Sequence, residues 1–329
     1  MHNKRIFCMP TLDFSKPLFA LAPLAGFTDL PFRSVVKKFG VDLTVSEMIS
    51  SNALAFKSKK TFKMLEKNPL ETPYSIQIAG SDQLIIQKAV ELLNEREGID
   101  IIDLNCGCPA PKVVNNLQGS SLLTDLPRMA ETIRTIKKYS NKEYTSVKIR
   151  LGFDSKNHVE IAKICEDNGA DYIAVHGRTK AGRYKAPVDY NAIREIKESV
   201  SIPVLANGDI DSPEKAKWVL EHTGADGIMV GRAAVGRPWM FQLMKNYING
   251  KGESVVSSSL VQEVVLEHFD QMVAHYGDHG ALIFRKHLHT YSKAGYQGAS
   301  KFRDLVNRIE NVSEMRDVTQ DFFSQEYII

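Results

Sequence analysis

Short runs of β-branched and other apolar residues recur along the chain up to about residue 230, at intervals long enough to hold a helix. They read as strands at Phe19–Ala22, Leu43–Val45, Tyr74–Ile78, Ile101–Leu104, Thr145–Ile149, Tyr172–Val175, Pro203–Ala206 and Gly227–Val230. Between them the period changes. Gln83–Glu97, Arg128–Tyr139, Val159–Asn168 and Pro213–His222 repeat apolar positions every three or four residues, as one face of a helix does. Boundary signals agree with this reading. Ser212-Pro213 offers an N-cap followed by proline in the first helical position, and Gly40, Gly98, Gly169 and Gly224 follow helical runs, where a left-handed C-cap is wanted. Eight strands alternating with helices predict a parallel (βα)8 TIM barrel. Beyond about residue 240 the strand runs stop, and Val261–Tyr276, Ala281–Ala294 and Phe302–Ile309 read as helices. Gly250-Lys251-Gly252 and the serines Ser257–Ser259 mark a linker. The expected division is a barrel over residues 1–244 and an all-helical C-terminal domain over 245–329.

Composition narrows this picture without redirecting it. The 329 residues are 43% apolar and 25% charged, which excludes a disordered or fibrous chain. Lys and Arg number 42 against 39 Asp and Glu, a net charge of +3, so a surface for a polyanion must be local. No apolar stretch approaches the roughly 18 residues of a membrane span. MHNKRIFCMP lacks the long apolar core and cleavage site of a signal peptide. Four cysteines (Cys8, Cys106, Cys108 and Cys165) in a chain of this size do not form a disulfide framework. The C-x-C pair of Cys106 and Cys108 has no second pair to complete a zinc site. A cytoplasmic monomer with no metal and no membrane attachment is expected.

Chemistry collects where barrel strands end. Here the first strand is followed by APLAG, the second by Glu47 and the third carries Gln77. The fourth leads into Asn105-Cys-Gly-Cys-Pro109 and the fifth holds Lys148 and Arg150. His176-Gly-Arg178-Thr179, Asn207-Gly208-Asp209 and Gly231-Arg232 follow the last three. The loops after strands seven and eight commonly build a phosphate site in barrels. Asn207–Asp209 with Gly231 suit it, and Arg232 adds a fixed charge. Alternation aims Lys148 into the barrel mouth, where a lysine needs an anionic ligand or an acid such as Glu47 or Asp103. Cys108, ahead of a proline in a glycine-containing loop, can serve as nucleophile or general acid; Cys165, on a helix, reads as a small buried hydrophobe.

Taken together, LAPLAGFTDLPFR, VSEMI, IQIAG, DLNCGCPAPKV, SVKIRLGFD, VHGRT, ANGDI and GIMVGRAAVGRPW resemble the flavin-dependent tRNA-dihydrouridine synthases, closest to the bacterial B-type branch. The tail segments EHFDQMVAHYG and FRKHLHTYSKA are similar to that family's helical RNA-binding domain. The resemblance implies an FMN-dependent enzyme that uses NADPH to reduce specific D-loop uridines of tRNA to 5,6-dihydrouridine. It implies that Pro23, Leu24 and Ala25 line one side of the flavin, that Gln77 bonds the ring edge, and that Lys148 and His176 lie beside it. Asn207, Gly208, Asp209, Gly231 and Arg232 would hold the phosphate, with Asn105 and Arg178 on the substrate side. Cys108 falls on the family's general acid. Cys106 departs from the pattern, since B-type members more often carry methionine there, and it adds a second thiol nearby. The chemistry agrees: saturating C5=C6 needs a proton at C5, which a thiol can supply, and a base inside folded tRNA must be flipped out to reach a barrel mouth.

An RNA partner also asks for local positive charge. Over residues 280–308 six Lys and Arg (Arg285, Lys286, Lys293, Lys301, Arg303 and Arg308) face one acid, Asp304. Lys286, His289 and Lys293 share a helical face opposite Phe284, Leu288 and Tyr291, and Lys57, Lys59, Lys60 and Lys63 form a second cluster. Arg285, Lys286 and Lys293 are the expected tRNA contacts. Two other readings stay open at this point: a flavin barrel acting on a small metabolite, in the manner of a dihydroorotate dehydrogenase, and an RNA-binding protein that keeps a barrel for structure alone.

Overall fold

Alternation along each strand builds the barrel from two apolar layers. The computed structural model describes residues 12–252, 255–293 and 295–326. Its strands are β1 (Leu18–Leu21), β2 (Leu43–Val45), β3 (Ile49–Ser50), β4 (Tyr74–Ala79) and β5 (Ile101–Cys106), followed by β6 (Tyr144–Arg150), β7 (Tyr172–His176), β8 (Val204–Asn207) and β9 (Gly227–Val230). All pair in parallel. β1 joins β9 on one side and β2 on the other, and β2 joins β4, so eight strands close a barrel. Leu18, Ala20, Leu43, Val45, Ile101, Tyr172, Ala174, Leu205 and Met229 fill the interior. The alternate strand positions, such as Leu21, Ile76, Leu104, Val147, Val175, Ala206 and Ile228, pack outward against the helices.

β3 was not foreseen. It continues the line of β2 after an interruption. From the pair Thr44–Tyr74 to the pair Ile49–Ile78 the chain advances five residues on one side and four on the other, which is a bulge. The bulge holds Ser46, Glu47 and Met48. β5 and β6 run two and one residues past their expected ends, to Cys106 and Arg150.

The helix signals act as written. Ser212 Oγ accepts from the Lys215 amide (3.1 Å) with Pro213 behind it, and that helix, Pro213–Thr223, stops at Gly224 in the left-handed conformation. Gly40, Gly98 and Gly169 also take positive φ. The tail helices are Ser258–Tyr276, His279–Tyr291, Ala299–Val306 and Val312–Phe323. The second ends at Tyr291, and Ala294, the expected terminus, lies outside the described residues. The fourth was missed, although Asn311 caps it by accepting from the Glu314 amide (2.9 Å) and Phe322 stacks on Phe302 at 3.9 Å. The helix Met240–Ile248 runs through the expected 244/245 junction and keeps Met240, Phe241 and Met244 in the barrel's core, so the chain leaves the barrel only after it. The tail has its own apolar core, but Val35, Phe39 and Trp239 from the barrel side belong to it. Where Ser258–Tyr276 meets the next helix, a Cβ on Gly280 would lie 2.2 Å from the Met272 carbonyl oxygen, so only glycine fits. Among the described residues no helix is long and apolar enough to cross a membrane.

Candidate active site at the barrel mouth

One step above the apolar interior, the same inward-facing positions turn polar. Ala22, Gln77, Asn105, Lys148, His176, Asn207 and Gly231 ring the C-terminal mouth. With Pro23, Leu24, Ala25, Met48, Gly107, Cys108, Pro109, Arg150, Tyr184, Gly208, Asp209 and Arg232 they line a cavity of about 200 Å³. Strand register delivers them, since Asn105 pairs with Lys148, Arg150 with His176, and His176 with Asn207. The β2–β3 bulge brings Met48, and not Glu47, to the wall; Glu47 accepts a hydrogen bond from the Gly26 amide.

A buried hydrogen-bonded relay runs under the cysteine loop. Ser146 Oγ donates to Asp103 Oδ1 (2.6 Å), and Gln77 Nε2 donates to Asp103 Oδ2 (2.7 Å). Asn105 Nδ2 donates to Gln77 Oε1 (2.6 Å), while Asn105 Oδ1 accepts from the Gly107 and Cys108 amides (3.1 and 2.9 Å). Burial raises the Asp103 carboxyl to about 6, against the hydrogen bonds from Ser146 and Gln77. Arg150 clamps the loop from the other side, donating to the carbonyls of Gly107 (2.7 Å), Thr179 (3.0 Å) and Arg183 (3.1 Å). Cys108 is half-buried on the cavity wall. Cys106 is not the second mouth thiol that the sequence suggested. Alternation turns it outward into the sheet–helix core near Cys165, and burial pushes its thiol far above the ordinary range.

From β6 round to the loop after β9 the mouth is cationic. Lys148 Nζ donates to Asn207 Oδ1 (3.1 Å), and Asn207 Nδ2 donates to the Met229 carbonyl (2.6 Å). Lys148 therefore bonds an amide, and neither Glu47 nor Asp103 forms an ion pair with it. Burial first, and then Arg150, lower its ammonium to about 8, with Asp103 and Cys108 opposing. His176 is buried, and desolvation with Lys148, Arg150, Arg178 and Arg232 around it brings it down to about 2, so the ring is neutral. Arg178, 4% exposed, stands behind the wall and does not line the mouth; its guanidinium forks onto Asp209. Arg232 Nη2 donates to the same carboxylate (2.7 Å). The hydrogen bond from Arg178 leads in holding Asp209 below its usual range. A second cavity of about 290 Å³ opens beside these turns, lined by Asn207–Asp211, Met229 and Gly231–Ala233.

Sequence reasoning passed over Tyr184. It is half exposed on the cavity wall, its ring 4.9 Å from the Arg232 guanidinium, 5.5 Å from that of Arg150 and 6.0 Å from the His176 ring. The alternation of base and aromatic in Arg183-Tyr184-Lys185 was the available signal.

The tail reaches the same end of the barrel. Lys286 Nζ lies 5.3 Å from the centre of the Phe27 ring, in the loop after β1, and Tyr276 donates to Asp29 Oδ2 (3.1 Å). Lys293 and Lys57 are exposed. Arg285 is half-buried and donates to the Ile309 carbonyl, so it ties the tail together instead of facing solvent. Lys63 is likewise engaged, with the His275 carbonyl, while the side chains of Lys59 and Lys60 lie outside the description.

The model of the dihydrouridine synthase (Dus) family matches residues 20–327. A probable tRNA-dihydrouridine synthase of Helicobacter pylori strain J99 is 48% identical over 319 residues, 96% of this chain and 95% of that protein. tRNA-dihydrouridine synthase B of Pseudomonas syringae pv. tomato is 43% identical over 310 residues, covering 93% and 91%. Among solved structures, the 6-hydroxypseudooxynicotine amine oxidase of Pseudomonas geniculata N1 superposes with a TM-score of 0.53 at 12% identity, over 76% of this chain and 50% of that one, a likeness of fold alone.

Proposed function

The chain belongs to the dihydrouridine synthase family of flavin-dependent oxidoreductases, and from that premise we propose how its own residues divide the work. It reduces uridine in tRNA to dihydrouridine; FMN as the flavin, NADPH as the reductant and the D-loop as the target are our reading. The observation that carries it is a single mouth that joins a half-buried thiol, Cys108, to a cationic arc running from Lys148 and Arg150 round to Arg232.

The donor set suits FMN. The Ala22–Ala25 stretch offers an apolar wall for a ring system. The ammonium of Lys148 makes one hydrogen bond among the described residues, leaving two of its three donors for a ligand. The turns Asn207–Asp209 and Gly231–Arg232 flank the second cavity with small residues and backbone amides, and two guanidiniums share the single carboxylate of Asp209, a surplus of positive charge suited to a phosphate. Gln77, whose Nε2 serves Asp103 and whose Oε1 serves Asn105, would meet the ring edge with the one N–H and one lone pair that remain. A flavin held by these residues would provide the hydride that C6 of the uracil takes up.

Cys108 then gives its proton to C5, and Asn105 orients the base beside it. His176, neutral among cations, accepts hydrogen bonds without adding charge. Arg178 serves the socket through Asp209 and, standing behind the wall, does not take the substrate contact that the sequence suggested. Lys286 and Lys293 meet tRNA phosphates from the tail, and the target uridine is flipped into the mouth. The barrel through Ile248 forms the catalytic unit and the helices from Ser258 the RNA-binding unit. A cytoplasmic location, where tRNA resides, completes the reading.

Incubating unmodified tRNA with the purified protein, FMN and NADPH, and measuring dihydrouridine in the nucleoside digest, tests it. Product at defined D-loop positions is expected. A yellow protein that oxidises NADPH yet leaves every uridine intact would point to a small-molecule substrate instead.

A further inference from the structure

The relay beneath the cysteine loop has a direction, and Asp103 sets it. A carboxylate only accepts hydrogen bonds, so it compels the Gln77 amide to present Nε2 toward it, at 2.7 Å. That choice leaves Gln77 Oε1 facing Asn105, whose Nδ2 then donates to it at 2.6 Å. Asn105 consequently turns Oδ1, and not its NH2, toward the Gly107 and Cys108 amides. Each amide is symmetric in shape, so packing alone does not choose between its two orientations. The polarity at the start of the chain does. A flipped Asn105 would set NH2 against two backbone N–H groups, and the loop would lose both anchors.

We propose that Asp103 is a positioning residue for the uridine reduction, fixing the orientation of Gln77 and Asn105 and through them the place of Cys108 at the mouth. It touches neither the mouth nor the thiol, and Gln77, Asp103 and Ser146 lie side by side in register on β4, β5 and β6. Ser146 Oγ donates to the second oxygen at 2.6 Å, so both carboxylate oxygens are held. Asp103 is 5% exposed, which keeps competing water away from the relay. The proposal rests on the family reading for the reaction. The geometry of the relay stands apart from it.

Asp103→Leu keeps the shape and removes the acceptors, while Asp103→Asn can still offer an oxygen to Gln77 with its NH2 turned to Ser146. Two readouts separate positioning from bulk damage. The first is the rate at which tRNA reoxidises the pre-reduced flavin, with flavin reduction by NADPH measured beside it to register any effect that reaches the flavin through Gln77. The second is the rate of iodoacetamide alkylation at Cys108, followed peptide by peptide, which needs no turnover. In Asp103→Leu, reoxidation should slow by about 10²-fold, the scale of an ångström of misplacement, and Cys108 alkylation should change several-fold. Asp103→Asn should recover most of both. Should the leucine variant not fold, Asp103→Ser, which leaves room for water at the lost oxygen, takes its place with the same reading. Unchanged alkylation and reoxidation in the acceptor-free variant would overturn the proposal, as would an asparagine variant as impaired as the leucine one. A wild type whose flavin tRNA cannot reoxidise would refute the family reaction for this chain and leave the alkylation comparison intact.

Discussion

Cys106 and Cys108 sit two positions apart, yet the end of β5 falls between them. Cys106 is still in the pleat and points into the outer core, whereas Cys108 has left the strand and lies on the cavity wall. Cys108→Ala should therefore keep flavin binding and its reduction by NADPH but slow uridine reduction by about 10²-fold or more. Cys106→Ala should leave the rate nearly unchanged and lower the unfolding free energy by about 1 kcal/mol through the small cavity it opens. Equal losses of rate in the two variants would remove Cys108 from its role. Lys148 gives a prediction in pH. Its ammonium titrates near 8, so the charge that favours an anionic ligand is present below that value and lost above it. FMN affinity should fall as pH rises through about 8, and Lys148→Met should bind more weakly at neutral pH with that fall abolished. Fluorescence titrations across that range decide it.

Among the elements, the helix His279–Tyr291 carries most consequence, since one face seals the tail's core and the other carries its cations. Phe284, Leu288 and Tyr291 are buried, while Lys293 just beyond its end is exposed and Lys286 stands over Phe27. Replacing Lys286 and Lys293 by alanine should weaken tRNA binding and flatten its salt dependence by about 0.7–0.9 log–log units per lost contact, with NADPH oxidation unaffected. Coincident slopes for variant and wild type would make these residues an ordinary solvated face. Gly280→Ala forces a Cβ against the Met272 carbonyl and should cost about 1–3 kcal/mol, read as a lowered melting temperature. Periodicity made these helices legible, strand alternation placed Lys148 in the mouth, and strand ends placed Asn105 and His176 there. The β2–β3 bulge was illegible because its cause is a slip in pairing with β4, which leaves no trace in the run Val45–Ile49. The helix Val312–Phe323 was hidden by its many polar positions. What Arg285 and Arg178 do depends on which carbonyl or carboxylate lies within reach, which is decided by residues far away in sequence.

For the molecule as a whole, charge and core are organised on different plans. A net charge of only +3 hides the concentration of Lys148, Arg150, Arg178 and Arg232 around one opening. The apolar interior, in turn, ignores the boundary between barrel and tail, since Val35, Phe39 and Trp239 close the tail's core while Phe32 and Val36, on the same helix as Val35, belong to the barrel's. A barrel ended at Ile248 should leave those three side chains bare and precipitate, and calorimetry of the full chain should show one transition. The seam also bears on anyone assembling chimaeras from relatives of this protein. A graft cut at the linker would carry the tail's helices but leave behind the three side chains they close upon. A grafted tail should therefore fold onto its new barrel only when Val35, Phe39 and Trp239 travel with it, and the interchangeable part is discontinuous along the chain.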